Sequence, residues 1–352
     1  MTETLPPANI ETISQLLDLS DSNYRLFDMG RRIEKLSKEQ FKKIELNQLP
    51  YPSPSQGHAF IAIAFWKKKS VARYLWLLKL PLDEQGLLNQ GTRNHFIAII
   101  IQALGADLSQ ETTKEQEDLL SANPYLFTPA QYKLASLNSK IKVDLKQEAS
   151  DYFLPFLDYI SEKTAWHNWQ AVGVQGITDF AARINQAQHT KQLIHALPYL
   201  PNEVLIPLCG ALENEVYSIE LISSLLLMLT SVLKNDTESN TTSPLQTQLL
   251  RALAANSQHR HCLDFIDKLL AQSQISTEIL IILSGRCWLV LANKKRLMCY
   301  LEHLVTSDDN ALFVSIFRDL VAIPTIRPFI LECMRAPQRS PELTKAIGQL
   351  FT

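Results

Sequence analysis

The chain has 352 residues, of which 46% are hydrophobic and 20% charged, and its formal net charge is -2. This composition is typical of a folded protein, because a disordered chain carries fewer aliphatic side chains and more net charge. The length exceeds that of one small domain. The near-zero charge excludes nucleic-acid binding through total charge alone. The low glycine count, 10, argues against a glycine-rich nucleotide-binding fold.

The first residues and the cysteines indicate the compartment. The segment 1–17 lacks the basic, apolar and small-residue pattern of a secretory signal, and the charge-free stretch Leu221–Leu233 is too short to cross a bilayer. The five cysteines are an odd number without a Cys-x-x-Cys pair, so we expect reduced, buried thiols. We therefore predict a cytoplasmic protein with no membrane insertion.

The first 82 residues mix helix and strand signals. Apolar spacing predicts short helices over 9–19 and 38–46, and alternation predicts a strand over Tyr24–Met29, extended through Ile33. The strongest strand signals are His58–Trp66 and 71–80, which are joined by a short polar tip and so predict a hairpin. One hairpin cannot stand alone, so we expect a three-stranded antiparallel sheet with the two helices on one face.

From Asp83 onward the hydrophobic period is helical, and Asp83 itself can cap the first helix. A single helix is predicted over 165–186. Helix pairs are predicted to start near 245, 276, 309 and 340, which are 31, 33 and 31 residues apart. This spacing is typical of a HEAT-like α-solenoid, with an irregular helical bundle as the alternative.

The predicted fold class is therefore α+β, with a small antiparallel sheet followed by a large all-α helical array. We expect a basic head domain over 1–82 and the array over 83–352, with a further division near 145–165. The segment 235–243 contains no apolar residue and is predicted to be a mobile loop.

Four short blocks carry a family resemblance. They are Phe27–Arg32, Pro50–Pro52, Leu80–Gly86 and Gly173–Arg183. In this order they are similar to segments of the bacterial domain-of-unknown-function family 3549, and the resemblance spans most of the chain. It implies a cytoplasmic bacterial protein and brings no established activity, cofactor or catalytic residues.

Motifs that carry chemistry are absent from the sequence. The chain has no phosphate-binding loop of the Walker type, no Gly-x-Ser-x-Gly elbow and no His-Glu-x-x-His helix. His259 and His261 flank one residue in a helical context, so they point to different sides and favour a surface and packing role. We therefore predict no cofactor, no metal and no catalytic residue, although triads assembled in space leave enzymatic activity open.

One candidate ligand site lies at the predicted junction of head and array. Its residues are Asp28, Arg31, Arg32, Asp83 and Glu84. Carboxylates beside arginines can bind a ligand or tune a pKa, and clefts at junctions favour ligands. The alternative is a helix cap with a salt-bridge lock.

The charge is distributed unevenly along the chain. Residues 25–79 contain twelve Lys or Arg and four acidic residues, a local charge of +8, whereas 83–118 carries two bases against seven acids, or -5. The predicted basic patch consists of Lys42, Lys43, Lys67, Lys68, Lys69 and Arg73. It could bind nucleic acid with Tyr74 or Trp76 stacking on bases, meet an acidic protein, or be neutralised by the acidic segment.

These features lead to three hypotheses for function. The leading one is a non-enzymatic protein-interaction protein, a scaffold or adaptor, because helical arrays offer long binding surfaces. Trp166 and Trp169 could anchor such a partner, or form a buried pair between helices. The alternatives are an enzyme or small-ligand protein with its site at the junction, and nucleic-acid binding by the basic head.

Overall fold

A computed structural model describes most of the chain. The described residues are 10–68, 72–105, 108, 113–162, 165–239, 243–306 and 310–351. The chain divides into two compact units. The first comprises Met1–Thr128 and Ala322–Pro324, and the second Pro129–Val321 and Thr325–Thr352.

The first unit contains an antiparallel sheet. Its strands are β1 (Ser22–Asp28), β2 (Glu34–Leu36), β3 (His58–Lys67) and β4 (Tyr74–Pro81), in the order β2-β1-β3-β4. The helices of this unit are α1 (Ile13–Leu19), α2 (Lys38–Glu45), α3 (Gln90–Leu104) and α4 (Lys114–Ser121). The antiparallel sheet, the hairpin and the two first helices are confirmed.

The strand expected over Tyr24–Met29, extended through Ile33, ends at Asp28, and a separate strand, β2, follows from Glu34, so the sheet has four strands and not three. β1 ends at Asp28 because the chain turns and pairs back on itself, with Leu26 opposite Leu36. On β4 the alternation predicted from the sequence is confirmed. Trp76, Leu78 and Leu80 are buried in the core, whereas Leu77 and Lys79 are half-buried.

The predicted boundary after Leu82 lies inside the first unit. Phe96, Ile97 and Ile100 of α3 are buried in the same core as Trp76, whose ring meets that of Phe96 edge to face at 5.5 Å. The change to a helical period marks a change of secondary structure, whereas one face of a small sheet still needs helices to cover it.

Helices are the only regular secondary structure among the described residues of the second unit, and together with the sheet of the first unit they confirm the predicted α+β class. The first helices of the second unit are α5 (Gln131–Asp144), α6 (Phe153–Ile160), α7 (Val174–Ala181), α8 (Ala187–Ala196), α9 (Asn202–Leu212), α10 (Ile219–Ser239) and α11 (Pro244–Ala252). The remaining ones are α12 (Arg260–Leu270), α13 (Thr277–Gly285), α14 (Lys294–Thr306), α15 (Asn310–Ala322), α16 (Arg327–Arg335) and α17 (Pro341–Gly348).

Helices of the second unit pack against the second helix along the chain. α5, α7, α9, α11 and α13 form one such series, and α6, α8, α10, α12, α14 and α16 form another. The helix starts predicted near 245, 276, 309 and 340 are confirmed within one residue. Contacts between α5 and α7 bridge the segment 145–165, and no division is seen there among the residues that the structure describes.

Two local predictions in this unit are wrong. The expected loop at 235–243 is helical as far as Ser239, because a helix that has already formed can propagate through polar residues, and 240–242 lie outside the described residues. The single helix expected over 165–186 is a 3-10 helix at Trp166–Ala171, followed by α7 after Gly173. None of the described helices has both the length and the apolar composition needed for a membrane crossing.

Candidate functional site

Three of the five predicted site residues lie buried at the end of β1. Asp28, Arg31 and Arg32 are 1%, 3% and 4% exposed. Oδ1 of Asp28 accepts a hydrogen bond of 2.7 Å from the backbone nitrogen of Gly30, which fixes the turn that follows β1. Nε of Arg31 donates to the carbonyl oxygen of Pro54 at 2.9 Å.

A buried tyrosine joins this cluster. Tyr51 is 0% exposed, and its hydroxyl donates to the carbonyl oxygen of Phe60 at 3.0 Å. Burial raises the pKa of Tyr51 well above its ordinary value, and the carboxylates of Asp28 and Glu34 add to the rise. Glu34 also pairs with Arg32. The charges of this cluster therefore attach the turn after β1 to the segment before β3.

The other two predicted residues, Asp83 and Glu84, are exposed. Oδ1 of Asp83 accepts hydrogen bonds from the backbone nitrogens of Gln85 (2.9 Å) and Leu87 (2.8 Å), so Asp83 closes a turn after β4. It does not cap the following helix, which is the role of Asn89.

β1 and β4 are both antiparallel to β3, so their carboxyl termini lie at the same end of the sheet. The structure thus brings Asp28 and Asp83 to the same end of the sheet, one buried and one exposed. A ligand site at this end of the sheet stays a prediction.

The predicted basic patch is partly neutralised by two aspartates. Nζ of Lys42 lies 3.1 Å from Oδ2 of Asp18, and Lys68 pairs with Asp21. Both aspartates flank the turn between α1 and β1, upstream of the segment in which charge was counted. Of the other patch residues, Lys43 and Arg73 are exposed, Lys67 is half-buried, and Lys69 lies outside the described residues.

Sequence reasoning missed Glu45, which is 0% exposed. Its carboxylate accepts hydrogen bonds from the backbone nitrogens of Ile13 (2.6 Å) and Ser14 (3.1 Å), so it satisfies the first turn of α1. Burial raises the pKa of Glu45, although these hydrogen bonds and Arg93 oppose the rise. Its sequence position, at the end of an amphipathic helix, resembles that of an ordinary surface glutamate.

The second unit carries an aromatic cluster at its surface, formed by Tyr159, Trp166 and Tyr199. The rings of Trp166 and Tyr199 are nearly parallel, with centroids 6.2 Å apart, and Tyr159 meets Trp166 edge to face at 5.4 Å. The hydroxyl of Tyr159 donates to the carbonyl oxygen of Trp166 at 2.8 Å. Tyr159 is buried, whereas Tyr199 is 57% exposed.

The expectation of a buried tryptophan pair is wrong. Trp166 and Trp169 are both half-buried, because they lie on a 3-10 helix and not on a long α-helix packed on both sides. The 3-10 segment is kinked at Asn168, which lies between the two tryptophans and has non-helical backbone angles. The helix therefore presents part of both indole rings to solvent.

Two carboxylates, Glu162 and Glu203, lie near the aromatic cluster. Oε2 of Glu162 lies 3.3 Å from Nε2 of His195, whose ring is 6.1 Å from that of Tyr199. Burial raises the pKa of Tyr159, and the nearby carboxylate of Glu203 adds to the rise.

His259 and His261, the two histidines considered above, make a structural contact with each other. Nδ1 of His259 accepts a hydrogen bond from the backbone nitrogen of His261, so His259 caps α12. Within the described residues, no group of three or more His, Cys, Asp or Glu side chains is placed to hold a metal ion.

Comparison with known proteins gives one match. No curated protein and no solved structure matches the chain. Residues 8–351 match the family described as "Protein of unknown function (DUF3549)", which confirms the resemblance carried by the four sequence blocks. The match covers essentially the whole length, so both compact units lie within it. The chain therefore belongs to the DUF3549 family.

Proposed function

We propose that this chain is a non-enzymatic protein-interaction protein, a scaffold or adaptor, whose second unit is an α-solenoid that binds another protein. The two series of helices, each packing on the second helix along the chain, support the solenoid. In such an array successive repeats build a continuous surface, and binding needs no catalytic group.

The observation that carries the proposal is the aromatic cluster. Tyr199 exposes more than half of its side chain while its ring is held parallel to that of Trp166. Tyrosine and tryptophan are enriched at the centres of protein interfaces, because they bury large areas at a low cost in conformational entropy. This aromatic pair is preorganised for such a role, because ring contacts already hold it in place.

The carboxylates around the cluster define the chemistry of the partner. Glu162 and Glu203 place negative charge beside rings that themselves attract cations. The partner segment therefore presents an arginine or lysine side chain, which stacks on Tyr199 and pairs with a carboxylate. An acidic segment would be repelled.

We place this binding in the cytoplasm. All five cysteines are free, and four of them are buried. A chain that keeps five thiols unpaired fits a reducing compartment, where disulfides are rare.

The test uses the full chain and a displayed library of random peptides. Peptides selected by the native chain are expected to share an arginine or lysine next to an apolar residue. Tyr199→Ala should weaken their binding by about 2 kcal/mol or more, as expected for an interface hot spot. Leu227→Ala is the control, because Leu227 is 77% exposed on α10 and lies outside the aromatic cluster.

Two results would contradict the proposal. One is selection of no peptide that distinguishes the native chain from Tyr199→Ala. The other is equal weakening by Tyr199→Ala and Leu227→Ala, which would show that binding does not depend on the aromatic cluster.

A further inference from the structure

The sheet of the first unit has a second face, opposite the one that packs on the helices. Strand register assigns its residues, since side chains of paired residues lie on the same face. We call this surface the back face. It consists of Asn23, Arg25, Phe27, Lys35, Phe60, Ala62, Ala64, Trp66, Leu75, Leu77 and Lys79.

Along β3 the back face is aromatic at both ends and small between them, and Phe27 of β1, opposite Ala62, is 1% exposed and so is closed to a ligand. Phe60 and Trp66 are half-buried, whereas Ala62 and Ala64 are buried between them. The two rings are six residues apart along β3, which corresponds to about 20 Å. Phe127 adds a third ring, edge to face with Phe60 at 5.1 Å.

Every charged strand residue on the back face is basic. These residues are Arg25, Lys35 and Lys79, while the acidic strand residues Asp28 and Glu34 have the register of the other face. The cations lie next to the rings. The guanidinium carbon of Arg25 is 5.6 Å from the centroid of Trp66, and Nζ of Lys79 is 5.7 Å from that of Phe60.

This interleaving of rings and cations suits one class of ligand. A single-stranded nucleic acid offers bases that stack on aromatic side chains and phosphates that pair with lysine and arginine. Four-stranded sheets that bind RNA stack two or three bases on aromatic side chains of one face, and the back face carries Phe60 and Trp66. An acidic peptide would use the cations but would gain little from the two separated rings.

We propose that the back face binds single-stranded RNA or DNA. Bases stack on Trp66 and Phe60, and Arg25, Lys35 and Lys79 contact the phosphates. Tyr74 and Trp76, which the sequence suggested for base stacking, do not take part. Their strand register places them on the face that packs against the core. This proposal does not depend on the protein-interaction function of the second unit.

The first experiment measures binding of the full chain to fluorescent oligouridine and oligothymidine by anisotropy. Three phosphate contacts give a salt slope of about -2 for single strands, so raising salt from about 50 to about 200 mM should weaken binding roughly 20-fold. Binding of both strands, or a preference for either, supports the proposal and identifies the natural polymer. Absence of binding at low salt overturns it.

Substitutions then separate stacking from charge. Trp66→Leu and Phe60→Leu should each weaken binding by about 5- to 150-fold, the loss expected for one stacked base. Lys79→Gln should reduce the salt slope by about 0.7. Lys268→Gln removes the same charge from an exposed position on α12, in the second unit, and should leave the affinity unchanged.

Unchanged circular dichroism spectra and melting temperatures show that each variant is folded, and each aromatic variant serves as the substitute should the other fail to fold. Equal losses in Lys79→Gln and Lys268→Gln, or full affinity in Trp66→Leu and Phe60→Leu, would overturn the proposal. So would competition by polyglutamate as strong as that by oligouridine, since this would reveal a site for acidic polymers in general.

Discussion

Arg251 of α11 holds the carboxylate of Glu213 through two nitrogen atoms, with Nη2 2.7 Å from Oε1. Glu213 ends α9 and is 1% exposed, and Nε of Arg286 lies 3.6 Å from the same carboxylate. Nη2 of Arg251 also donates to the hydroxyl of Tyr132 on α5 at 3.1 Å. Burial disfavours the charged guanidinium, but the hydrogen bonds and charge of Glu213 outweigh it and raise the pKa of Arg251.

Glu213→Gln is expected to destabilise the second unit strongly. Removal of one partner leaves the buried charge of Arg251 uncompensated, and the free energy of unfolding should fall by about 3–5 kcal/mol. Urea unfolding of the full chain, followed by circular dichroism, measures the loss. The control is Asp267→Asn, which breaks a pair with Arg296 whose aspartate is 52% exposed and should cost less than about 1 kcal/mol. Similar losses in both variants would contradict the assigned role of the buried pair.

Asp179 makes the stability of the second unit depend on pH. Its side chain is 0% exposed and accepts hydrogen bonds from the hydroxyl of Ser139 (2.7 Å) and the backbone nitrogen of Ser150 (2.9 Å). Burial alone would favour the neutral acid, but these bonds, a further one from the Ser150 hydroxyl and the charge of Arg183 together lower the pKa of Asp179. The carboxylate therefore stabilises the fold in its charged form.

The stability that Asp179 adds is present above the pKa of an unfolded aspartate, about 3.9, and is lost as the pH falls through the lower folded value. Asp179→Asn should lower the free energy of unfolding by about 2 kcal/mol at neutral pH. The difference in the free energy of unfolding between Asp179→Asn and the native chain should become smaller below about pH 4. Asp264→Asn, at a position 59% exposed, should show no such trend. A constant difference across this range would disprove the role of the charge.

Cys299 should be the one thiol that reacts rapidly in the folded chain. It is half-buried, whereas the other four cysteines are buried. Burial raises the pKa of Cys209 and Cys262 to about 12 and that of Cys333 to about 11, which removes the reactive thiolate at neutral pH. A chromogenic thiol reagent should label one group quickly and the others only after denaturation. Cys299→Ser should abolish the fast phase, and its persistence would contradict this assignment.

Secondary structure was readable from the sequence where hydrophobic periodicity is strong. The hairpin, the burial of Trp76 and the starts of α11, α13, α15 and α17 follow from periods of 2 and 3.6 residues. The boundary of the first unit was not readable, because the apolar side chains of α3 could be covered equally well by a sheet or by another helix. Only the tertiary contact of Phe96 with Trp76 decides this.

The candidate surfaces were less predictable because they depend on contacts that are distant in sequence. Asp18 and Asp21 reach Lys42 and Lys68 only in the folded unit, and local charge counting over 25–79 excluded both aspartates. The back face was missed because its rings, Phe60 and Trp66, stand in a nearly continuous apolar run. Such a run does not show which alternate residues face the core until register is fixed.

The pairing of β1 with β3 also has a kinetic consequence. Asp28 must find Ile61, and Ser22 must find Lys67, so the two central strands meet only after the whole intervening segment has closed into a loop. The helical turns of the second unit instead form through hydrogen bonds between residues four positions apart, before the helices pack on partners as distant as Glu213 and Arg251, which are 38 residues apart. We therefore expect refolding in two phases, a fast gain of helical signal and a slower burial of Trp76 that waits for the sheet.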